Sequence, residues 1–121
     1  GAILTFAFED KREVRRSASQ WAFIQRVATI DKTDFTIKLR LYVDAECFVQ
    51  VYVNTSKQLT SYTLVLNRSR IFGRDCEGGQ WHRHPAGAPD MHDFSPEGQR
   101  AVSLDEFLRE VQQILQEQGL L

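Results

Sequence analysis

Cysteine is nearly absent: Cys47 and Cys76 are the only two in 121 residues. That is too few for a disulfide framework, and with Cys47 expected in a strand and Cys76 in a loop, a reduced pair in the cytoplasm is the expectation. No apolar run approaches the ~20 residues of a membrane-spanning helix. No charged-then-apolar leader with a small-residue cleavage site is read before the first element, so export is not expected. Repeats and low-complexity tracts are missing too. Hydrophobic residues make up 42% and charged residues 26%, close to the averages for folded domains, which excludes wholesale disorder and leaves one domain over residues 1–121.

An excess of one charge is also missing, since the net charge is −1. A uniformly basic nucleic-acid coat is therefore excluded. The balance hides an asymmetry: twelve Lys/Arg against seven Asp/Glu up to Arg74, then three against nine. Clusters at Lys11, Arg12, Arg15, Arg16 and at Arg68, Arg70, Arg74 are either solvated faces or places that meet phosphate.

Residues 34–43 alternate cleanly, with Phe35, Ile37, Leu39, Leu41 and Val43 on one side and Thr36, Lys38 and Arg40 on the other. Period two with β-branched and aromatic enrichment predicts a strand. Cys47–Val53 and Leu59–Leu66 repeat the pattern after turns at 44–46 and 54–57, and a short strand follows at Arg70–Arg74. Residues 20–30 are read as a further strand, although Phe23, Val27 and Ile30 also fit helical spacing. A short helix is predicted over residues 5–17, with Phe6, Phe8 and Val14 on its apolar side. Ser103-Leu104-Asp105-Glu106 is a capping box that opens a helix over 103–118. Its stripe of Leu104, Phe107, Leu108, Val111, Ile114 and Leu115 has 3.6-residue periodicity, and Gly119 stops it. The fold class is α+β: a roughly five-stranded antiparallel meander sheet with a short N-terminal helix and a C-terminal helix packed on it. The aromatics at 21, 23, 35, 42, 48, 52 and 62 are assigned mainly to the sheet core, any exposed ones being able to stack on bases.

Residues 75–102 hold four glycines and three prolines with little periodicity and read as one long loop. Loops of this length in small domains are functional or disordered, and Trp81, Met91 and Phe94 anchor this one. All three histidines lie here, at 82, 84 and 92. Three readings are open. Two imidazoles can act as acid and base on a phosphodiester, with Arg74 or Arg83 on the developing charge and Asp75 or Asp93 fixing a tautomer. His82, His84 and His92 can ligate zinc or another late transition metal, with Cys76 as a fourth ligand. Or the rings cap backbone groups in a plain loop. No phosphate-cradling glycine loop and no nucleophile elbow is present.

The order Tyr62, Ile71-Phe72-Gly73-Arg74-Asp75, Trp81-His82-Arg83-His84-Pro85, His92-Asp93, then a helix at Leu104-Asp105-Glu106-Phe107-Leu108, resembles the TumE-type toxin family, small toxins paired with a helix-turn-helix antitoxin. The chain departs from the family at Thr63, where a histidine is usual, and at Asp75-Cys76-Glu77-Gly78-Gly79, which replaces a His-His run. The resemblance implies a toxin–antitoxin setting, an antitoxin partner and RNA as target. His82, His84, His92, Asp75 and Asp93 would then be catalytic, and Arg74, Arg83, Arg70, Tyr62 and Trp81 would bind substrate. A non-catalytic interaction module and a His-ligated metal-dependent hydrolase stand as alternatives. A homodimer through a free sheet edge is also expected.

Overall fold

The structure is a computed structural model describing residues 2–121, with side chains described from Lys11 onward. It is α+β: a six-stranded antiparallel meander between two helices in sequence. The N-terminal helix α1 spans Ala2–Ser19, longer than the 5–17 expected, and Phe6 and Phe8 fall outside the described side chains. The strands are β1 Arg26–Lys32, β2 Thr36–Asp44, β3 Cys47–Asn54, β4 Leu59–Leu66, β5 Ser69–Glu77 and β6 Gln80–His84, paired in sequence order. The C-terminal helix α2 covers Leu104–Glu117. Among the described residues no helix is long and apolar enough to cross a membrane.

The pleat sends alternate side chains to opposite faces. Ile37, Leu39 and Leu41 of β2, Cys47, Val49 and Val51 of β3, Leu64 of β4 and Phe72 of β5 form the inner face, all buried. Both helices cover it. From α1 come Val14 and Ala18; from α2 come Leu104, Phe107, Leu108, Val111 and Leu115. Phe107 stacks on Phe72 with ring centroids 5.3 Å apart and meets Tyr62 at 5.4 Å. The capping box forms as the sequence predicts: Glu106 N–H donates to Ser103 Oγ, and Ser103 N–H donates to Glu106 Oε1. Cys47 is shut into the core, where burial, then nearby Asp44, pushes its thiol up to about 11. Both cysteines are free thiols.

Four expectations are corrected. The strand read at 20–30 runs from 26 to 32, because 20–24 turns out of α1 with Trp21 N–H bonded to Ala18 O and Ile24 N–H to Trp21 O. The short strand at 70–74 extends to Glu77, and a sixth strand lies inside the supposed loop. The link between them is Gly78-Gly79, at φ +59° and +85°. Two successive positive φ values make the hairpin turn whose twist matches its strands, and glycine enters it without steric cost. Third, Tyr42, Phe48 and Tyr52 lie on the outer face, which among the described residues no helix covers, and Phe35 is exposed in the β1–β2 turn.

Arg74, read as a phosphate ligand, is the fourth. It projects from the inner face and is fully enclosed. Its Nε and Nη2 each donate to the Glu110 carboxylate at 2.8 Å, while Nη2 and Nη1 reach Glu97 Oε1 and Glu97 O at 2.9 Å. A bidentate pair of this kind is strong and directional. It joins β5, the 85–102 segment and α2. Replacing Arg74 by Ala should lower unfolding free energy by about 2–3 kcal/mol, below the cost of breaking a wholly buried pair because both glutamates keep partial access to water. Urea denaturation would measure it, and an unchanged midpoint would show the pairing to be idle.

Candidate metal and catalytic centre

The two faces of the β5–β6 hairpin sort the predicted site residues. Register pairs Asp75 with His82 and Gly73 with His84, so these side chains share the outer face. Arg74 pairs with Arg83 and Cys76 with Trp81, one residue out of phase, so they share the inner face with Tyr62, which pairs with Arg74. Tyr62 and Trp81 lie 6.1 Å apart, centroid to centroid. Neither is beside the histidines. Cys76 is therefore not a fourth ligand to them; a side chain one pleat out of phase points through the other side of the sheet.

His92 reaches the cluster from the segment after β6. Arg83 and Asp93 exchange backbone hydrogen bonds at 3.1 and 2.8 Å, forming an isolated bridge that lays residues 92–94 along β6. That register sets His92 opposite His84 and Phe94 opposite His82. Ring centroids agree, at 4.8 Å for His84–His92, 5.2 Å for His82–His92 and 5.3 Å for His82–Phe94. Gly98 allows this closure: a Cβ there would sit 2.1 Å from Asp93 O. Asp93 does not orient a histidine. Its carboxylate takes the Ser95 N–H and the Arg83 guanidinium, and these hold its pKa down to about 2, Ser95 contributing most. Arg83 is thus spent on Asp93, on the side away from the rings.

At the centre, three atoms form a small triangle. His82 Nε2 and His84 Nε2 are 3.2 Å apart, and Asp75 Oδ2 is 3.4 Å from the first and 3.3 Å from the second. Hydrogen bonds from neighbours outside the triangle fix these atoms. Ser61 Oγ donates to Asp75 Oδ1 at 2.6 Å. His84 Nδ1 lies 3.0 Å from Pro89 O, and a carbonyl can only accept, so Nδ1 carries the proton and Nε2 presents a lone pair. His84 is 3% exposed. Burial first, and then the Arg70 cation, lower its pKa, which keeps that lone pair free at neutral pH. Arg70 is the one predicted substrate-binding arginine on this side: its Cδ and His84 Cδ2 both flank the Cβ position of Gly73, and its guanidinium is only loosely paired with fully exposed Asp90 at 3.6 Å.

A bare imidazole nitrogen and a carboxylate oxygen at 3.3 Å repel unless something positive lies between them. One proton on His82 satisfies part of the triangle; a cation satisfies all of it. Metal–ligand bonds of 2.0–2.1 Å at tetrahedral angles put ligand atoms about 3.3 Å apart, which matches all three edges. Candidate ligand nitrogens of His82, His84 and His92 all lie within 4.8 Å of one another, and His92 is the exposed member, at the rim. Asp75 is the candidate ligand that sequence spacing missed in this role. The signal for it was the Gly-Gly turn, which brings position 75 opposite position 82.

Two outcomes follow for the scaffold. Gly98→Ala should cost about 1–3 kcal/mol, as overpacking does, and should shift the His92 ring resonances in NMR spectra; unchanged spectra would mean the 92–94 segment is not clamped. Acid should act through Asp93 and Glu97, the latter held at about 2 by Arg100 and then Arg74. Both pKa values are depressed on folding, so their stabilisation is present above the ordinary carboxylate range and is lost as pH falls from about 4.5 towards 2. A melting temperature flat across that window would refute it. No family model, no curated protein and no solved structure matches the chain, so the TumE-type resemblance rests on its quoted residues alone.

Proposed function

We propose that the outer-face cluster is a catalytic metal centre, and that the protein is a metal-dependent hydrolase acting on a phosphate ester. His82 Nε2, His84 Nε2 and Asp75 Oδ2 bind one divalent ion, zinc being the natural choice for two imidazoles and a carboxylate. The triangle of 3.2, 3.3 and 3.4 Å carries this reading. Three protein ligands rather than four is the arrangement of catalytic rather than structural zinc sites. A bound ion there supplies Lewis acidity and a water of lowered pKa. The chain's own groups divide the remaining work. Arg70 beside His84 holds an anionic substrate oxygen, and His92 at the rim delivers the proton that the departing oxygen takes up as the P–O bond breaks. Ser61 and Pro89 O hold the ligands in place.

Purified protein should bind one zinc or cobalt ion per chain, cobalt giving visible d–d absorption. His84→Ala should abolish binding. Ser61→Ala, which removes only the hydrogen bond to Asp75 Oδ1, should weaken it about tenfold or more. Hydrolysis of an activated phosphodiester such as bis(p-nitrophenyl) phosphate should stop with chelator and return with metal. Failure to bind either ion at micromolar concentration would end the metal reading, and hydrolysis indifferent to chelator would return the histidines to acid–base catalysis without metal.

A further inference from the structure

Among the described residues, no helix crosses the outer face of the sheet between β1 and the histidines. Cross-strand register builds it in rows. One row runs Lys38, Tyr52, Ser61, Asp75, His82; the next runs Arg40, Gln50, Thr63, Gly73, His84. Each ring on the β2–β3 half carries a cation. Arg26 lies 4.2 Å from the Tyr42 centroid, Arg40 lies 4.4 Å from that of Phe48, and Lys38 lies 5.9 Å from that of Tyr52. A cation over a ring face adds charge to a surface on which flat groups can stack, and Arg40 Nε also donates to Gln50 Oε1 at 3.2 Å. Two shallow grooves cross this surface. One is bordered by Lys38, Tyr52 and Ser61 and ends at Asp75; the other is bordered by Arg40, Phe48, Gln50 and Arg68. Asp31 and Glu46 also border these grooves, so the face is not a simple basic patch.

Arg68 occupies the β4–β5 turn at φ +70°, after Asn67 at φ +50°. A two-residue hairpin turn of this kind takes Asn-Gly most cheaply. A long cationic side chain held in the left-handed region is strained, and strain of this sort points to use of the side chain. Here that side chain borders the groove with Arg40 and Phe48.

We infer that this face binds a single strand of nucleic acid, its bases stacked on the aromatic–arginine pairs of β2 and β3 and its backbone led towards the Asp75–His82–His84 centre. Flat bases suit rings and guanidinium planes, and regularly spaced phosphates suit Arg26, Lys38, Arg40, Arg68 and Arg70. Lys38 and His82 are four strand spacings apart, about 19 Å, room for on the order of four nucleotides. A duplex would hide its bases from the rings. This names the substrate class for the hydrolase reading and rests on it for cleavage, whereas strand binding needs no metal.

Fluorescence anisotropy with a short labelled oligouridylate tests it, in chelator to block cleavage. Binding should weaken with salt at about −0.7 in log–log slope per phosphate contacted. The pair Lys38→Gln with Arg40→Gln should lower affinity and reduce the slope by about 1.4. Phe48→Leu, which keeps the charge, should weaken binding about tenfold. Arg68→Gly relaxes the turn, so it should keep or raise the melting temperature while weakening binding; this separates recognition from folding. Because strand binding is read in chelator, with cleavage and metal out of play, a failed metal site and a failed binding face are distinguishable. No binding at low salt would overturn the inference. So would affinity indifferent to these outer-face substitutions, tighter binding of a duplex, or equal competition by an acidic peptide, which would reduce the face to bulk charge.

Discussion

The period-two pleat of the β5–β6 hairpin is the constraint on which this molecule turns. Gly78 and Gly79 set the register, and from it every neighbour receives a face. Asp75, His82 and His84 go outward. Arg74, Cys76, Trp81 and Arg83 go inward. A slip of one residue would exchange the two sets, burying imidazoles against α2 and exposing the guanidinium that Glu97 and Glu110 now enclose. Fold and candidate chemistry therefore depend on the same turn.

The two sides serve different ends through similar residue types. Inward, Arg74 meets two carboxylates and a carbonyl with no exposure to solvent, and its charge is fully answered. Outward, Asp75 and two imidazoles turn polar atoms towards one another in a triangle that a single proton on His82 satisfies only in part. Satisfaction on one side and deficit on the other separate a structural network from a candidate site. Arg83 and Asp93 complete the division: their ion pair and backbone bridge fasten residues 92–94 to β6, so that His92 and Phe94 join the outer group.

Much of the fold was legible in one dimension. Ile37, Leu39 and Leu41 declare a strand by alternation, and Ser103 with Glu106 declares a helix start; both are local signals in which neighbours in sequence are neighbours in space. The same local reading misplaced Tyr42, Phe48 and Tyr52 in the core. Alternation says which residues share a face but not which face a helix will cover, and aromatic rings suit either when cations lie over them. It also missed β6, because Gly-Gly and the later prolines read as loop and only five residues separate the turn from Pro85. The turn chemistry that would have revealed the hairpin was present at 78–79.

The sequence by itself determined the meander, the capped C-terminal helix, and the confinement of every histidine to one short stretch, since each follows from periodicity or composition. Only the tertiary structure decided that Asp75 joins His82 and His84 while Arg74, Arg83 and Cys76 do not. It also decided that His92 arrives by pairing with β6. Those outcomes depend on strand register and on a glycine that lets two backbones touch, and neither distance exists until the chain has folded back on itself.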